Sequence, residues 1–501
     1  MKTTKSGLWL GLKEMLSTAV ARSEAFPLLA FLIPLVVRAI PEILMGPFVV
    51  GFDTLGYYVP NTLVWLNDGV VFWNFLAVAP LFYVLLMGVT SVGVPIVVSL
   101  KVMSPLLLGF LGIAVYFYAN KTLSWSPKKS LLVVLFATLY FMALRVSWDM
   151  LRSELGLIFL FVFLAFLRGD WREKPWKCYA LLLPSMVFVV LSHQLASVIM
   201  FAIVSVVVLQ NLFRREYAAV RDLVLSALPS VVLFGLVVYA DFAVLPSVSA
   251  ASLAGSELGW LSLFGFSSIF EGVADTLGFL FYCYLPLLPF VFVGIRNFRS
   301  LELKVWGIWC LIAVLFPFFL SFAPLDYRWI LLLAFPMAFF AVEGFRRFNF
   351  RRLKIVLSGV LVFLSFSFVL LPAGMAFPYF RLFPNYVPSS MLQNSVALSD
   401  CGDVVRALAW VNGSLGSDGV LLVHDAFYGW SLLYLDHSRI VCYGYENPQT
   451  ATREMFADGY HRLFLVWWVA GEGWHGWSTL PSCFVEVYRS NRIAIYEYAE
   501  A

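Results

Sequence analysis

Long apolar runs separated by short polar stretches make up the first three quarters of the chain. A helix needs roughly 20 apolar residues to cross a bilayer, and runs near that length recur between residues 26 and 375. The pattern therefore predicts a polytopic α-helical membrane protein with about eleven spans. We expect them near residues 26–48, 103–119, 130–147, 153–168, 178–192, 195–211, 223–245, 274–294, 304–322, 329–345 and 354–375.

Basic residues between the runs predict the topology. Six short segments hold 22 of the 34 lysines and arginines, and such segments face the cytoplasm. They are residues 1–22, 119–129, 167–177, 211–222, 294–304 and 344–354. An even number of spans must separate each of these segments from the next. Three apolar stretches lie between the first two segments, so one of them should not cross the membrane. We expect it to be the stretch 75–98, which prolines and glycines interrupt and which would form an interfacial or re-entrant helix on the outer face. The N-terminus is then cytoplasmic and the C-terminus extracytoplasmic.

The hydrophobic pattern changes after residue 375. Strand-like segments at 420–424, 440–443 and 462–468 alternate with helix-like segments, and two alternating strands end the chain. We therefore expect two domains: a transmembrane domain at 1–375, with interfacial helices in an outer loop at 47–102, and a small extracytoplasmic α/β domain at 376–501.

Composition supports this division and excludes several classes of protein. Hydrophobic residues make up 61% of the chain and charged residues 13%, whereas a soluble domain has about 25% charged residues. A soluble enzyme or a nucleic-acid binder is therefore excluded, and membrane lipids are expected partners. The tail carries Cys401, Cys442 and Cys483, so one disulfide is possible if that domain faces an oxidising compartment.

The first candidate for chemistry is Asp53, in the segment GFDTLGYYVP just past the first span. A lone acid at a span end is either a loop carboxylate in water or a group that lines a polar cavity. Tyr57 and Tyr58 would lie one turn beyond Asp53 if that residue caps a helix. Aromatic faces beside a carboxylate suit a sugar ring.

Other charged residues gather at the same predicted level of the membrane. Asp149 and Glu154, on either side of Arg152, are either ligand-binding groups or a capping pair for the fourth span. Arg38 either forms an internal pair with Glu42, four residues on, or points at a lipid phosphate. Asp326 and Arg328 lie on a short outer hairpin, where Arg328 suits phosphate oxygens. His193 is either an ordinary interfacial histidine or a binding residue.

Three stretches resemble the GT-C superfamily of membrane glycosyltransferases, which includes protein O-mannosyltransferases, the aminoarabinose transferase of lipid A and the catalytic subunit of oligosaccharyltransferase. They are LVVRAIPEILMGPFVVGFDTLGYY, LKVMSPLLLGFLGIAVYFYA and SWDMLRSELG, and DYRWILLLAFP looks like a late span of that family. The oligosaccharyltransferase motif Trp-Trp-Asp-Tyr-Gly is replaced here by Trp467-Trp468-Val469-Ala470-Gly471. The resemblance therefore favours the branch that uses monophosphate donors, without a metal or other cofactor, although a divalent metal stays possible.

The resemblance implies an activity. Family members move a sugar from a polyprenyl phosphate to a protein or lipid acceptor on the outer face. By analogy, Asp53 is the general base of an inverting transfer, Asp149, Arg152 and Glu154 orient donor or acceptor, and Arg328 stabilises the departing phosphate. The alternative is a lipid or solute transporter or flippase. We find no inverted repeat that a transporter would be expected to show.

Overall fold

The structure is a computed structural model of the whole chain. It describes residues 25–49, 51–167, 175–244, 269–315, 328–370, 396–416, 418–443, 448–460, 462–469 and 480–499. The helices are α1 Ala25–Leu44, α2 Val59–Asp68, α3 Phe72–Ala77, α4 Leu81–Ser91, α5 Ile96–Phe117, α6 Pro127–Leu139, α7 Phe141–Asp149, α8 Leu151–Leu167, α9 Pro175–Ser192, α10 Gln194–Phe213, α11 Tyr217–Val244, α12 Ile269–Tyr284, α13 Leu288–Ile295, α14 Leu301–Leu315, α15 Arg328–Leu332, α16 Ala334–Arg347, α17 Arg351–Leu370, α18 Leu398–Ser414, α19 Asp425–Leu432 and α20 Pro448–Ala457. The strands are β1 Gly419–Val423, β2 Ile440–Cys442, β3 Arg462–Trp468, β4 Phe484–Ser490 and β5 Ile493–Tyr498.

Contacts within the chain divide it into two units. The helical unit comprises residues 1–40, 73–82 and 102–369. The C-terminal unit comprises residues 41–72, 83–101 and 370–501. Segments that follow the first helix are thus grouped with the C-terminal residues.

The helical unit contains membrane-length helices, as the sequence predicts. Within the described ranges, six helices are long and apolar enough to cross a membrane, or seven if α6 and α7, which meet at a bend of 62°, form one span. The bend falls at Tyr140, whose backbone is extended. A turn at 285–287 likewise separates α12 from α13 where Pro286 interrupts the run. The multi-pass architecture is confirmed, and the count of about eleven spans stays a prediction.

Glycine residues allow several of these helices to meet backbone to backbone. A side-chain carbon added at Gly294 in α13 would clash with the carbonyl oxygen of Phe340 in α16. One added at Gly344 in α16 would clash with the carbonyl oxygen of Phe290. Any larger residue at either glycine must push α13 and α16 apart, so this crossing is set by the glycines themselves.

Aromatic side chains fill the space between the other helices. Phe161 of α8 stacks on Phe339 of α16 with ring centroids 5.9 Å apart. Trp306 of α14 stacks on Phe335 at 6.0 Å. All four rings are buried. Offset and stacked rings of this kind add to the free energy of apolar burial.

The C-terminal unit contains a mixed five-stranded sheet in the order β2-β1-β3-β5-β4. β2, β1 and β3 are parallel, whereas β3 pairs with β5, and β5 with β4, in antiparallel fashion. The α/β tail predicted from the alternating segments is therefore confirmed. Successive residues of a strand point to opposite faces, so α20 covers the face of Leu422 and Trp467. α19 covers the other face, where Phe427 packs on Trp468 at 4.3 Å.

The tail cysteines are thiols in this structure. Cys401 is buried in α18, Cys442 is exposed at the end of β2, and Cys483 is half-buried before β4. Burial, followed by the charge of Asp400, raises the pKa of the Cys401 thiol to about 12. That thiol therefore stays protonated and behaves as a small core residue.

Candidate active site

The segment SWDMLRSELG, which carries Asp149 and Glu154, lies at the junction of α7 and α8 in the helical unit. Asp149 ends α7 and forms an ion pair with Arg145, one turn earlier on the same helix. Both side chains are fully buried. A charged pair held in so apolar a place is stable only because each member compensates the other.

Arg38 lies beside this junction. Its Nε donates to the carbonyl oxygen of Ser147 at 3.0 Å, and a terminal nitrogen donates to that of Trp148 at 2.9 Å. Its guanidinium lies over the Trp148 ring, 5.3 Å from the centroid. Arg38 thus ties the first helix of the chain to the end of α7, and its charge is buried inside the unit.

Glu154 in the first turn of α8 differs from Asp149 in how it is held. It is fully buried, and neither carboxylate oxygen has a hydrogen-bond partner among the residues that the structure describes. The charge of Arg38 acts on it. The alternative that Glu154 caps the fourth span is not what the structure shows, since neither oxygen accepts a backbone N–H group. A buried carboxylate without hydrogen bonds costs free energy.

His193 lies between α9 and α10, where it faces α8. Its Nε2 is 2.9 Å from the hydroxyl of Ser153, and its ring is buried. The charges of Arg152 and Arg328 both act on it. Arg152 and Arg328 are themselves half-buried, so two guanidinium groups lie near one imidazole at the edge of the apolar interior.

Sequence reasoning missed three residues of this region. Arg145 and Ser153 were passed over, although a lone arginine four residues before Asp149 in an apolar run is a visible signal. Asp241 near the end of α11 was also passed over; it accepts a hydrogen bond from Gln194, and the charge of Arg152 acts on it. We define the ionisable cluster as Arg38, Arg145, Asp149, Arg152, Ser153, Glu154, His193, Asp241 and Arg328. Its four arginines outnumber its three carboxylates, so an anion is favoured near it.

Asp53 belongs to the C-terminal unit. It is 8% exposed and directly precedes a π-helical turn, Thr54–Tyr58. The expected capping interaction is absent, because the backbone at Asp53 is already helical and its side chain makes no capping hydrogen bond. Turns of this type inside helices are frequent at functional sites.

The π turn packs closely against α19. Gly429 of α19 faces the carbonyl oxygen of Leu55 so closely that a side-chain carbon there would overlap it. The two tyrosines that follow have different surroundings: Tyr58 is buried against Tyr83, with ring centroids 5.8 Å apart, and Tyr57 is 51% exposed. Only Tyr57 presents a ring to the outside.

Glu42 and Lys101 form a half-buried contact of the C-terminal unit. Lys101 Nζ donates to the Glu42 carbonyl oxygen at 2.8 Å, to its carboxylate at 3.3 Å and to the Phe48 carbonyl oxygen at 3.0 Å. Lys101 was not singled out from the sequence, although it is the one charged residue in a long apolar run. It anchors the chain segment that leads from α1 towards Asp53.

Two further expectations concern Asp326 and a bound metal ion. Asp326 lies outside the described residues. Within the described ranges, no group of three or more histidine, cysteine, aspartate or glutamate side chains is placed to hold a metal ion.

Solved structures include proteins with a similar fold. The chain is similar to ArnT from Cupriavidus metallidurans, solved bound to undecaprenyl phosphate, with a TM-score of 0.53 and 14% sequence identity. The similarity covers 94% of this chain and 97% of that one. No protein-family model and no curated protein sequence matches the chain. The predicted fold, a polytopic helical membrane protein with a C-terminal α/β domain, is thus confirmed, and it resembles that of ArnT.

Proposed function

We propose that the chain is an integral membrane glycosyltransferase that moves a sugar from a polyprenyl-phosphate donor to a protein or lipid acceptor on the outer face of the membrane. The observation that carries the proposal is the shared fold with ArnT, whose structure holds undecaprenyl phosphate. The excess of arginine in the ionisable cluster supports it, because a phosphodiester is the anionic part of such a donor and a phosphate monoester is the anion that leaves.

The proposed reaction is a single in-line displacement with inversion. Asp53 accepts the proton of the acceptor hydroxyl, whose oxygen attacks the anomeric carbon of the sugar. The bond from that carbon to the phosphate oxygen breaks, and polyprenyl phosphate leaves with the electron pair. One carboxylate suffices, since phosphate leaves without a proton donor, unlike the alkoxide of an ordinary glycoside. The transfer involves no redox change and no group carrier besides the donor lipid.

The ionisable cluster supplies the charge stabilisation in this proposal. Arg328 and Arg152 bind the phosphate and stabilise the charge that grows on it as the sugar departs. Asp149 holds Arg145 in place. Glu154 presents two carboxyl oxygens, which have no hydrogen-bond partner among the described residues, to a hydroxyl or amine of donor or acceptor. The N-terminus lies in the cytoplasm, and the C-terminal domain lies outside with the reacting groups.

The test measures release of undecaprenyl phosphate by the purified full-length protein. We would supply undecaprenyl-phosphate sugars and a mixed pool of lipid and protein acceptors to the wild type, to Asp53→Asn and to Asp458→Asn, an exposed carboxylate of the tail. The first variant should lose about 10²- to 10⁴-fold in rate while still binding the donor lipid, and the second should match the wild type.

Two results would contradict the proposal. Equal release by Asp53→Asn and wild type would remove Asp53 as the base. No release by the wild type from several donor sugars would leave a lipid or solute transporter or flippase as the function to test next.

A further inference from the structure

The turn between α16 and α17 in the helical unit concentrates positive charge. α15 together with α16, and α17 by itself, are each long and apolar enough to cross a membrane, and residues 348–350 connect them. α16 therefore ends, and α17 begins, at the same surface of the membrane. The last two residues of α16 and the first two of α17 are all arginines: Arg346, Arg347, Arg351 and Arg352.

Two lysines at the start of α6 join these arginines. Lys129 forms an ion pair with Glu343 of α16, and the charges of Arg346 and Arg347 both act on it. Lys128 directly precedes it and is exposed. We define the basic patch as Lys128, Lys129, Arg346, Arg347, Arg351 and Arg352.

The positive charge of the basic patch is compensated only in part. Glu343 pairs with Lys129 and with Arg347, whose Nε donates to it at 3.0 Å, and residues 344–352 contain no aspartate or glutamate. The other four cations of the patch are exposed, and within the part of the chain that the structure describes they form no ion pair. Such an excess of charge attracts an anion.

Apolar side chains beside the basic patch place it at the boundary of the membrane. Phe350 in the connecting turn is 71% exposed, and Leu353 and Ile355 of α17 are 45% and 63% exposed. In the apolar stretch of α17 only 11% of the residues are buried inside the protein, so lipid covers most of this helix. An anion bound by the patch thus has acyl chains as its neighbours.

Another basic segment of the chain lacks this excess of charge. Residues 211–222, between α10 and α11, carry three arginines together with Glu216 and Asp222, and Arg221 pairs with Asp222 at 2.9 Å. Their net charge is +1, whereas residues 343–352, with four arginines and one glutamate, have a net charge of +3. The topology rule counts lysines and arginines and treats both segments alike, so it does not account for the absence of acids around the patch.

From these observations we infer that the basic patch binds the phosphate head groups of anionic phospholipids in the leaflet that borders it. Guanidinium groups match phosphate oxygens in two-point contacts, and clusters of about four to eight basic residues beside a membrane helix bind anionic lipids. Arg328 of the ionisable cluster begins the membrane-length segment that Arg347 ends, so the two groups lie at opposite ends of that segment. The inference therefore does not depend on the proposed glycosyl transfer.

Native mass spectrometry of the full-length protein in an uncharged detergent tests the inference. The probes are phosphatidylglycerol and phosphatidylcholine with the same acyl chains, and we expect the wild type to retain phosphatidylglycerol in preference. The triple variant Arg346→Gln, Arg351→Gln, Arg352→Gln should lose about tenfold or more in affinity for phosphatidylglycerol and keep its affinity for phosphatidylcholine. Its midpoint of thermal unfolding should equal that of the wild type, because the three side chains are exposed.

A matched variant removes the same number of arginines from residues 211–222. Arg214→Gln, Arg215→Gln, Arg221→Gln should retain phosphatidylglycerol as the wild type does. Inorganic phosphate, added at the same concentration as the lipid, should not displace it, since free phosphate lacks the acyl chains. Equal retention of the two lipids by the wild type, equal affinity of the patch variant and the wild type, equal losses in both triple variants, or displacement by inorganic phosphate would overturn the inference.

Discussion

Carboxylates are buried in both units, but their surroundings are opposite. Asp403 of the C-terminal unit accepts hydrogen bonds from Ser490 at 2.6 Å, Asn491 at 3.0 Å and Arg406 at 2.5 Å. Glu154 of the helical unit has no hydrogen-bond partner among the described residues. A satisfied carboxylate stabilises a fold, whereas an unsatisfied one destabilises it. We therefore expect Asp403 to stabilise the fold and, under the proposed function, Glu154 to bind a ligand.

Breaking the pair of Arg145 and Asp149 should have the largest effect on stability. Arg145→Met leaves Asp149 charged and buried without its partner, and such a loss costs about 3–5 kcal/mol. Thermal unfolding of the full-length protein in detergent, followed by tryptophan fluorescence, measures it.

The double variant Arg145→Met, Asp149→Leu is the matched control, because it removes both charges from the same place. It should recover most of the lost stability. If the double variant is no more stable than Arg145→Met, the buried charge of Asp149 is not the source of the loss.

Removing the carboxylate of Asp403 should have an intermediate effect. Asp403→Ala leaves the hydroxyl of Ser490 and the amide of Asn491 without their acceptor, at a cost of about 1–3 kcal/mol. Hydrogen exchange of the β5 and α18 amides in the full-length protein reports the local opening. Glu486→Ala, at an exposed pair with Arg489, should hardly change the same amides.

The effect of Asp403 should also depend on pH. Burial alone would raise its pKa, but hydrogen bonds from Ser490, Asn491 and Arg406 outweigh burial and hold the pKa below the ordinary value. The unfolded chain therefore takes up the proton first as pH falls. The contribution of Asp403 is full above about pH 4 and is lost as pH falls through the lower folded pKa. A gap between wild type and Asp403→Ala that persisted in strong acid would contradict this account.

Replacing Glu154 should have the smallest effect on stability and a clear effect on turnover. Glu154→Gln keeps the shape of the side chain, and no protein hydrogen bond to its oxygens is lost, so we expect a change under about 1 kcal/mol. Release of undecaprenyl phosphate should nevertheless fall more than tenfold, the factor that about 1.4 kcal/mol of lost ligand binding produces. An unfolding midpoint lowered as far as that of Arg145→Met, with turnover intact, would make Glu154 a structural residue.

Much of the fold could be predicted, because its signals are local. The strands β1, β2 and β3 lie where alternation and apolar runs placed them, and the junction at Asp149 lies between two predicted spans. The span count was harder, since Tyr140 and Pro286 break apolar runs that read as continuous. Length and hydropathy along a sequence do not show a bend of 62°.

The charged residues of the candidate site could be predicted from the sequence, but most of their partners could not. Asp149, Glu154, Arg152, His193, Arg328 and Arg38 were found because charge near an apolar run is conspicuous. Their partners depend on packing between distant segments: Arg38 contacts residues more than a hundred positions away. The spacing of Arg145 and Asp149 is a local signal of their pair. Nothing local in the sequence reveals that Glu154 has no hydrogen-bond partner among the described residues.

Because a π turn follows Asp53, the direction of that carboxylate depends on one extra residue in the turn. A π turn contains one residue more than an α-helical turn, which has 3.6 residues. Regular α-helical geometry cannot accommodate that extra residue. Removal of one residue from 54–58 would restore an ordinary α-helix and rotate Asp53 about 100° relative to α2. The contact of Gly429 with Leu55 opposes that rotation. The direction in which the Asp53 carboxylate points thus depends on the number of residues in the turn. Substitutions keep that number, whereas a one-residue deletion changes it.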